Sequence, residues 1–202
     1  MKVEALNNYV VFEMIKPPEK DGILITEILE KTPRWGTVIS AGPGAYDIDG
    51  NLIPPDVKEG DTVYVMAHGN YAIDMDTVKE ETINTASFLD LLAKMDMDKM
   101  ELQPLGSYVE IEKIDPPTES KGGIILTETV RSAPNIARVK KVGLGYSSMS
   151  GNKIPFQVAE GDIVAYEPYK TMIIDLAGLG INEQRTIIMQ ANLLAKINGV
   201  EL

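Results

Sequence analysis

Gly22-Ile23-Leu24-Ile25-Thr26-Glu27 and Gly123-Ile124-Ile125-Leu126-Thr127-Glu128 are one hexapeptide written twice, differing only in the order of Leu and Ile. Working outward from this pair, the match continues on both sides. Toward the C-terminus, at an offset of 101, Gly42-Pro43-Gly44 lies over Gly143-Leu144-Gly145, Gly50-Asn51 over Gly151-Asn152, and Glu59-Gly60-Asp61-Thr62-Val63 over Glu160-Gly161-Asp162-Ile163-Val164. Toward the N-terminus a two-residue insertion changes the offset to 99, and Ala5-Leu6-Asn7-Asn8-Tyr9-Val10 lies over Pro104-Leu105-Gly106-Ser107-Tyr108-Val109. Spaced Gly and Pro identities kept in order along a hundred residues define an internal repeat, and a repeat decides the architecture before any single element does. The seam falls near Asp96-Met97-Asp98-Lys99-Met100, which gives two domains, residues 1–99 and 100–202.

Each unit reads as short β-type runs between turn residues, for example Tyr9-Val10-Val11-Phe12-Glu13, Gly36-Thr37-Val38-Ile39-Ser40 and Thr62-Val63-Tyr64-Val65-Met66. The expected class is all-β, a small barrel per unit. Gly42-Pro43-Gly44 and Gly50-Asn51 supply turn chemistry, so Ala45 to Pro54 is expected to form a hairpin, with Tyr146 to Pro155 as its counterpart. Helical spacing of apolar residues occurs at Ser87 to Lys94 and, more weakly, at Ala191 to Ile197. The stretches 21–34 and 120–136 break the strand rhythm: branched apolar residues and Thr are followed by polar, Pro-containing sequence. Two readings stand. One is a long loop whose apolar triad another protein covers, and the other is a buried strand with a polar turn.

Composition narrows the function. The 202 residues are 44% hydrophobic and 24% charged with a formal net charge of -11, and mean hydropathy is -0.05. No run of 18 apolar residues suggests a membrane span, and Met1-Lys2-Val3-Glu4 lacks the build of a signal peptide, so the expected location is the cytoplasm, or an organelle if a transit peptide has been removed. With no Cys and a single His, His68, thiolate metal sites, Cys nucleophiles and paired-imidazole centres are excluded. The acidic balance argues against a nucleic-acid binder. That balance is uneven: residues 1–100 carry 9 basic and 18 acidic side chains, and residues 101–202 carry 10 and 12.

Other signals are weak. Asp47-Ile48-Asp49-Gly50-Asn51 is a poor calcium loop, with Gly in the fourth place rather than the sixth. The Gly-x-Gly pairs lack the third Gly of a dinucleotide fingerprint and read as turns, and no Gly-x-Ser-x-Gly elbow accompanies His68. The carboxylates Asp47, Asp49, Asp56, Glu59 and Asp61 read as a solvated acidic face rather than an acid/base pair. No enzyme activity, metal or bound cofactor is expected. A tandem lipoyl- or biotinyl-type carrier is an alternative, but its only suitably placed lysine, Lys99, lies at the seam and has no counterpart near Asn198-Gly199-Val200. A purely structural β module that has lost its partner is another.

Taken in order, the Gly-Ile-Ile-Leu-Thr segment after a first strand, the Gly-x-Gly turn, the Gly-Asn hairpin tip and the Val-x-x-Gly-Asp-x-Val run resemble the GroES-like co-chaperonins. The resemblance covers both units, and both keep 13 residues from the start of the triad to Gly36 or Ala137. It implies two tandem irregular β-barrel domains, each with a mobile loop and a dome hairpin, assembled as a homo-oligomeric ring. It also implies a GroEL-type chaperonin partner that binds and hydrolyses the ATP, and unfolded client proteins enclosed in the cage. The family's chaperonin-binding triad falls on Ile23, Leu24 and Ile25 and again on Ile124, Ile125 and Leu126. Departures are a single Gly22 where the second unit has Gly122-Gly123, Trp35 at the end of the first loop, and Ala137 in place of Gly36.

Overall fold

The computed structural model describes residues 3–15, 34–66, 70–74, 82–114, 135–147 and 153–199, and everything below concerns these. Every regular element among them is a β-strand or a single 3-10 turn, as the turn-punctuated apolar runs require. The strands of the first repeat are β1 (Tyr9–Met14), β2 (Arg34–Ala41), β3 (Ala45–Tyr46), β4 (Leu52–Ile53), β5 (Thr62–Val65), β6 (Asn70–Asp74), β7 (Thr82–Ser87) and β8 (Leu91–Asp96). A short β9 (Glu101–Pro104) follows. The second repeat supplies β10 (Tyr108–Lys113), β11 (Ile136–Val142), β12 (Tyr146–Ser147), β13 (Lys153–Ile154), β14 (Ile163–Tyr166), β15 (Met172–Asp175), β16 (Gln184–Met189) and β17 (Leu193–Ile197).

The duplication extends to irregularities. One sheet runs β6-β7-β1-β2-β5-β8-β9 and the other β15-β16-β10-β11-β14-β17, so the second repeats the order of the first strand for strand up to β8. The β1–β2 ladder slips between Val11 and Phe12, and the β10–β11 ladder between Glu110 and Ile111. The β5–β8 ladder slips at Tyr64/Val65, and the β14–β17 ladder at Ala165/Tyr166. Bulges re-aim side chains locally, and four at matched positions are part of the design of the unit.

Matched local chemistry explains the shared motifs. In Glu59-Gly60-Asp61 the Gly60 backbone is left-handed (φ 88°), its N–H donates to Val38 O at 2.9 Å, and Asp61 Oδ2 accepts from Lys58 N at 3.1 Å. Gly161 (φ 88°), Val139 O, Asp162 and Ala159 N repeat that turn. Lys94 and Lys196 then reach the same aspartates from β8 and β17, at 3.3 and 2.7 Å. The Gly-x-Gly pairs, expected as turns, are irregular connections that run beside the chain entering β1 and β10: Gly42 N donates to Tyr9 O and Gly44 N to Asn7 O, Gly143 N to Tyr108 O and Gly145 N to Gly106 O. A Cβ on Gly42 would run into the carbonyl oxygen of Asn7, and Gly44 (φ 123°) would place one against the Ile53 carbonyl.

Helical spacing at Ser87 to Lys94 and Ala191 to Ile197 does not produce helices. Ser87 Oγ accepts from Leu89 N at 3.2 Å and caps one 3-10 turn, Phe88–Asp90, after which β8 begins; a second 3-10 turn, Gln190–Asn192, leads into β17 without a side-chain cap. For the first stretch the cause is burial on both faces of β8; β17 is largely exposed, with Leu194 62% exposed, and is a strand through its pairing with β14. Leu91 faces the core of the first half and Leu92 a second cluster, so adjacent leucines are both buried and break the period-2 signature of a half-buried strand.

Three apolar clusters hold the molecule. Val10, Phe12, Val38, Val57, Val63, Val65, Ala86, Leu91 and Leu105 form one. Val109, Ile111, Ala137, Val139, Val164, Tyr166 and Ile188 form its counterpart. The third joins Trp35, Tyr64, Leu92, Ala93 and Met95 to Leu102, Tyr108, Ile174, Leu176 and Ile187.

Candidate functional site

Both apolar triads, Ile23-Leu24-Ile25 and Ile124-Ile125-Leu126, lie outside the described residues, as does His68. The strands that carry the triad segments are described. The first segment leaves β1 and returns to β2 where Ile15 N donates to Trp35 O at 2.9 Å. The second leaves β10 and returns to β11 where Ile114 N donates to Ile136 O at 3.0 Å. The described residues on either side of the two triad segments thus close on each other at matched positions of the two units.

The hairpin expected at 45–54 is present. Ala45 pairs with Ile53 and Tyr46 with Leu52, and Asp47 organises the turn. Its Oδ1 accepts from the backbone N–H groups of Asp49 (2.9 Å) and Asn51 (2.7 Å), and its Oδ2 from Asn51 Nδ2 (3.0 Å). These donors, the Asn51 amide first, hold the Asp47 carboxyl below its ordinary 3.8. The group is solvent-exposed, so the arrangement is a turn lock and not a desolvated acid/base pair. In the second unit Tyr146 pairs with Ile154 and Ser147 with Lys153, with the tip 148–152 outside the described residues. Among the described residues no group of three or more His, Cys, Asp or Glu side chains could hold a metal, and no helix is long and apolar enough to cross a membrane.

The structure brings together two constellations that the sequence did not announce. At the junction of the two units, Trp35 is buried against Tyr64, with ring centroids 5.0 Å apart and planes at 60°. Burial raises the Tyr64 pKa above 10.0. In the second unit, Glu110 is 5% exposed in the middle of β10, and its Oε1 accepts from Arg185 Nη1 at 3.1 Å. Burial raises the Glu110 carboxyl above its ordinary 4.5, and the Arg185 guanidinium works against that shift. Glu110 breaks the apolar run Tyr108-Val109-Glu110-Ile111, and that interruption was its only signal in the sequence.

The scaffold, two bulge-matched all-β units each carrying a hairpin and an apolar triad segment between its first two strands, is that of a tandem co-chaperonin. The profile of the chaperonin 10 Kd subunit family fits the chain twice, at residues 2–95 and 101–197. The chain belongs to that family. It is 34% identical to the co-chaperonin GroES of Thermus thermophilus over 97 residues, 48% of this chain and 92% of that protein. With the co-chaperonin GroES of Clostridium beijerinckii it shares 35% over 96 residues, 48% of this chain and 97% of the other. The chloroplastic 20 kDa chaperonin of Arabidopsis thaliana is 27% identical over 169 residues, 83% of this chain and 66% of that protein. The double family match removes the ground of the carrier alternative; its one candidate, Lys99, sits in the β8–β9 turn and pairs with Asp96 at 3.5 Å, but has no counterpart near Asn198-Gly199-Val200.

Proposed function

We propose that this protein is a co-chaperonin that assembles as a homo-oligomeric ring, caps a GroEL-type chaperonin in a nucleotide-dependent way and assists the folding of client proteins enclosed beneath it. The observation that carries this reading is the double match to a co-chaperonin family, at residues 2–95 and 101–197, on two units duplicated down to their bulges. The anchors are Ile23, Leu24 and Ile25 in one domain, residues 1–99, and Ile124, Ile125 and Leu126 in the other, residues 100–202. ATP is bound and hydrolysed by the partner, since this chain has no Gly-x-x-x-x-Gly-Lys loop. Its working compartment is the one that holds the chaperonin: the cytoplasm, or an organelle of the kind named for the chloroplastic relatives.

Magnitudes explain why such anchors release. Burying three Ile or Leu side chains yields about 5–9 kcal/mol at roughly 1.5–3 each, whereas ordering a dozen free residues costs on the order of 1–2 kcal/mol each. One anchor alone binds weakly, and several presented together turn later contacts into intramolecular events, so the cap is firm while each contact stays reversible. The test is co-sedimentation with a GroEL-type chaperonin with and without ATP. Nucleotide-dependent complex formation that is lost when both triads are replaced by Ser is the expected result. A well-folded parent that never associates would establish the structural-module reading.

A further inference from the structure

The methionines of this chain are not spread alike over the two repeats. Met95, 6% exposed, belongs to the cluster that joins the units, and Met66 and Met172 pack half-buried against it. They come from both sides of the junction: Met66 directly follows β5 of the first unit, and Met172 opens β15 of the second, opposite Ile187. None of the three is kept by the repeat. Glu167 stands where Met66 does, its N–H donating to Asn192 O as that of Met66 donates to Asp90 O. Ile197 and Tyr71 take the ladder positions of Met95 and Met172. These thioethers therefore belong to the junction and not to the fold of either unit. An unbranched, polarisable side chain suits the irregular gaps of a cluster that also holds the Trp35 and Tyr64 rings. Elsewhere among the described residues, Met97, Met100 and Met189 are 45%, 47% and 39% exposed and sit in none of the three clusters, while Met14 is half-buried against the core of the first unit.

We propose that Met66 and Met172 make the junction an oxidation-sensitive joint: a peroxide converts their thioethers to sulfoxides and thereby weakens the contact between the two units. The Sδ lone pair attacks one peroxide oxygen, and the O–O bond breaks as the S–O bond forms. The hydroxyl proton passes to the departing oxygen, which leaves as water; sulfur loses two electrons and the peroxide gains them. The product is polar and chiral where the thioether was apolar and flexible. Its oxygen needs a donor that the cluster does not spare, because the one indole N–H there is already given to Asp175 O, and a buried polar group without a partner is costly. Half-burial singles out this pair. Met95 is shielded from the oxidant, whereas the exposed methionines accept oxygen with no packing to lose. Methionine sulfoxide reductases reverse the step, so the joint can be restored without new synthesis. This inference does not rest on the chaperonin part of the proposed function.

The experiment oxidises the purified full chain with hydrogen peroxide, maps the added oxygen by peptide mass spectrometry and follows urea unfolding by the emission of Trp35, the chain's one tryptophan. Met97, Met100 and Met189 take up oxygen first, with the urea midpoint unchanged. The midpoint then falls in step with uptake at Met66 and Met172, and treatment with methionine sulfoxide reductases brings it back. Met66→Leu combined with Met172→Leu, a volume-conserving change, holds its own midpoint through the same treatment. Each single variant shows part of the fall, and Met14→Leu shows all of it. Four outcomes would each overturn the proposal: a midpoint that falls with the exposed methionines alone, a parent oxidised at Met66 and Met172 whose midpoint does not move, oxygen that never reaches these two when the three exposed methionines are fully oxidised, or a double variant as sensitive as the parent.

Discussion

Trp35 Nε1 donates a 2.8 Å hydrogen bond to the main-chain carbonyl oxygen of Asp175, 140 residues further along the chain. The indole is 2% exposed and lies between Tyr64 of its own unit and the Gly178 backbone of the other, where a Cβ would come within 3.1 Å of the ring. Trp35 is also the second residue of β2, directly after the stretch 21–34 that carries the first triad. A residue that the sequence places at the end of a loop is thus at the centre of the junction between the two units.

Removing the bond and removing the ring should have separable costs. Trp35→Phe keeps most of the packing and loses one hydrogen bond, with an expected loss of about 0.5–1.5 kcal/mol. Trp35→Ala leaves a cavity in the junction cluster, with an expected loss of about 3–5 kcal/mol. Urea unfolding monitored by circular dichroism measures both. Equal losses for the two variants would show that the hydrogen bond, and not the packing, holds the junction.

Glu110 and Arg185 offer an internal control, because the first unit has Val11 and Ile83 at the same ladder positions. Arg185 Nε is buried with no hydrogen-bond partner among the described residues, so the pair is incompletely satisfied. Arg185→Ile leaves a buried carboxylate and should cost about 3 kcal/mol, the low end for a broken buried pair, since the Arg185 side chain is 30% exposed. The double change Glu110→Val with Arg185→Ile should be neutral or stabilising by about 1 kcal/mol or more.

The same carboxyl sets a pH dependence. Its folded pKa is raised above 4.5, so the folded state binds the proton more tightly than the unfolded chain does. The resulting stability is fully present below 4.5 and is lost as pH rises through the folded value. Glu110→Gln should flatten that decline in urea melts run from pH 4 upward, and a slope unchanged by the substitution would assign it to other groups.

At the first hairpin the sign is opposite. The Asp47 carboxyl is held below 3.8 by the Asn51 and Asp49 donors, so the turn it organises is favoured above that pH and is released as pH falls through the folded value. The Asn51 amide resonance should titrate with Asp47, and Asp47→Ala should remove the titration and speed hydrogen exchange at Asp49 and Asn51.

The duplication, the all-β class and the 45–54 hairpin were legible because they rest on residues with strong local rules: Gly44 at positive φ, Gly60 and Gly161 in identical turns, Asp61 and Asp162 accepting from the chain three residues before. The junction was not legible. Leu91 and Leu92 are neighbours in sequence but belong to two clusters, and only the presence of β9 and the second unit buries the outer face of β8. The adjacent buried leucines that result imitate helical spacing. Leu6 and Leu105 are aligned by the repeat, yet one is exposed and the other is a core residue of the neighbouring unit, a difference decided by what each unit is joined to. Glu110 shows the same limit, since its partner Arg185 is 75 residues away.

The last prediction separates the two anchors. Both triads are intact, both precede Gly36 or Ala137 by 13 residues, and both lie in sequence between the strands of a matched pair, β1–β2 or β10–β11. If both domains engage the chaperonin, replacing Ile23, Leu24 and Ile25 by Ser removes half the anchors of an assembly, and replacing Ile124, Ile125 and Leu126 removes the other half. Because avidity compounds over the anchors, either triple change should weaken ATP-dependent complex formation far more than twofold, and the combined change should abolish it. The measurement is complex formation and client refolding for each variant, after native mass spectrometry has shown the same oligomer as the parent. A triple variant that caps as well as the parent would assign its domain to a spacer role and leave the other triad as the sole anchor.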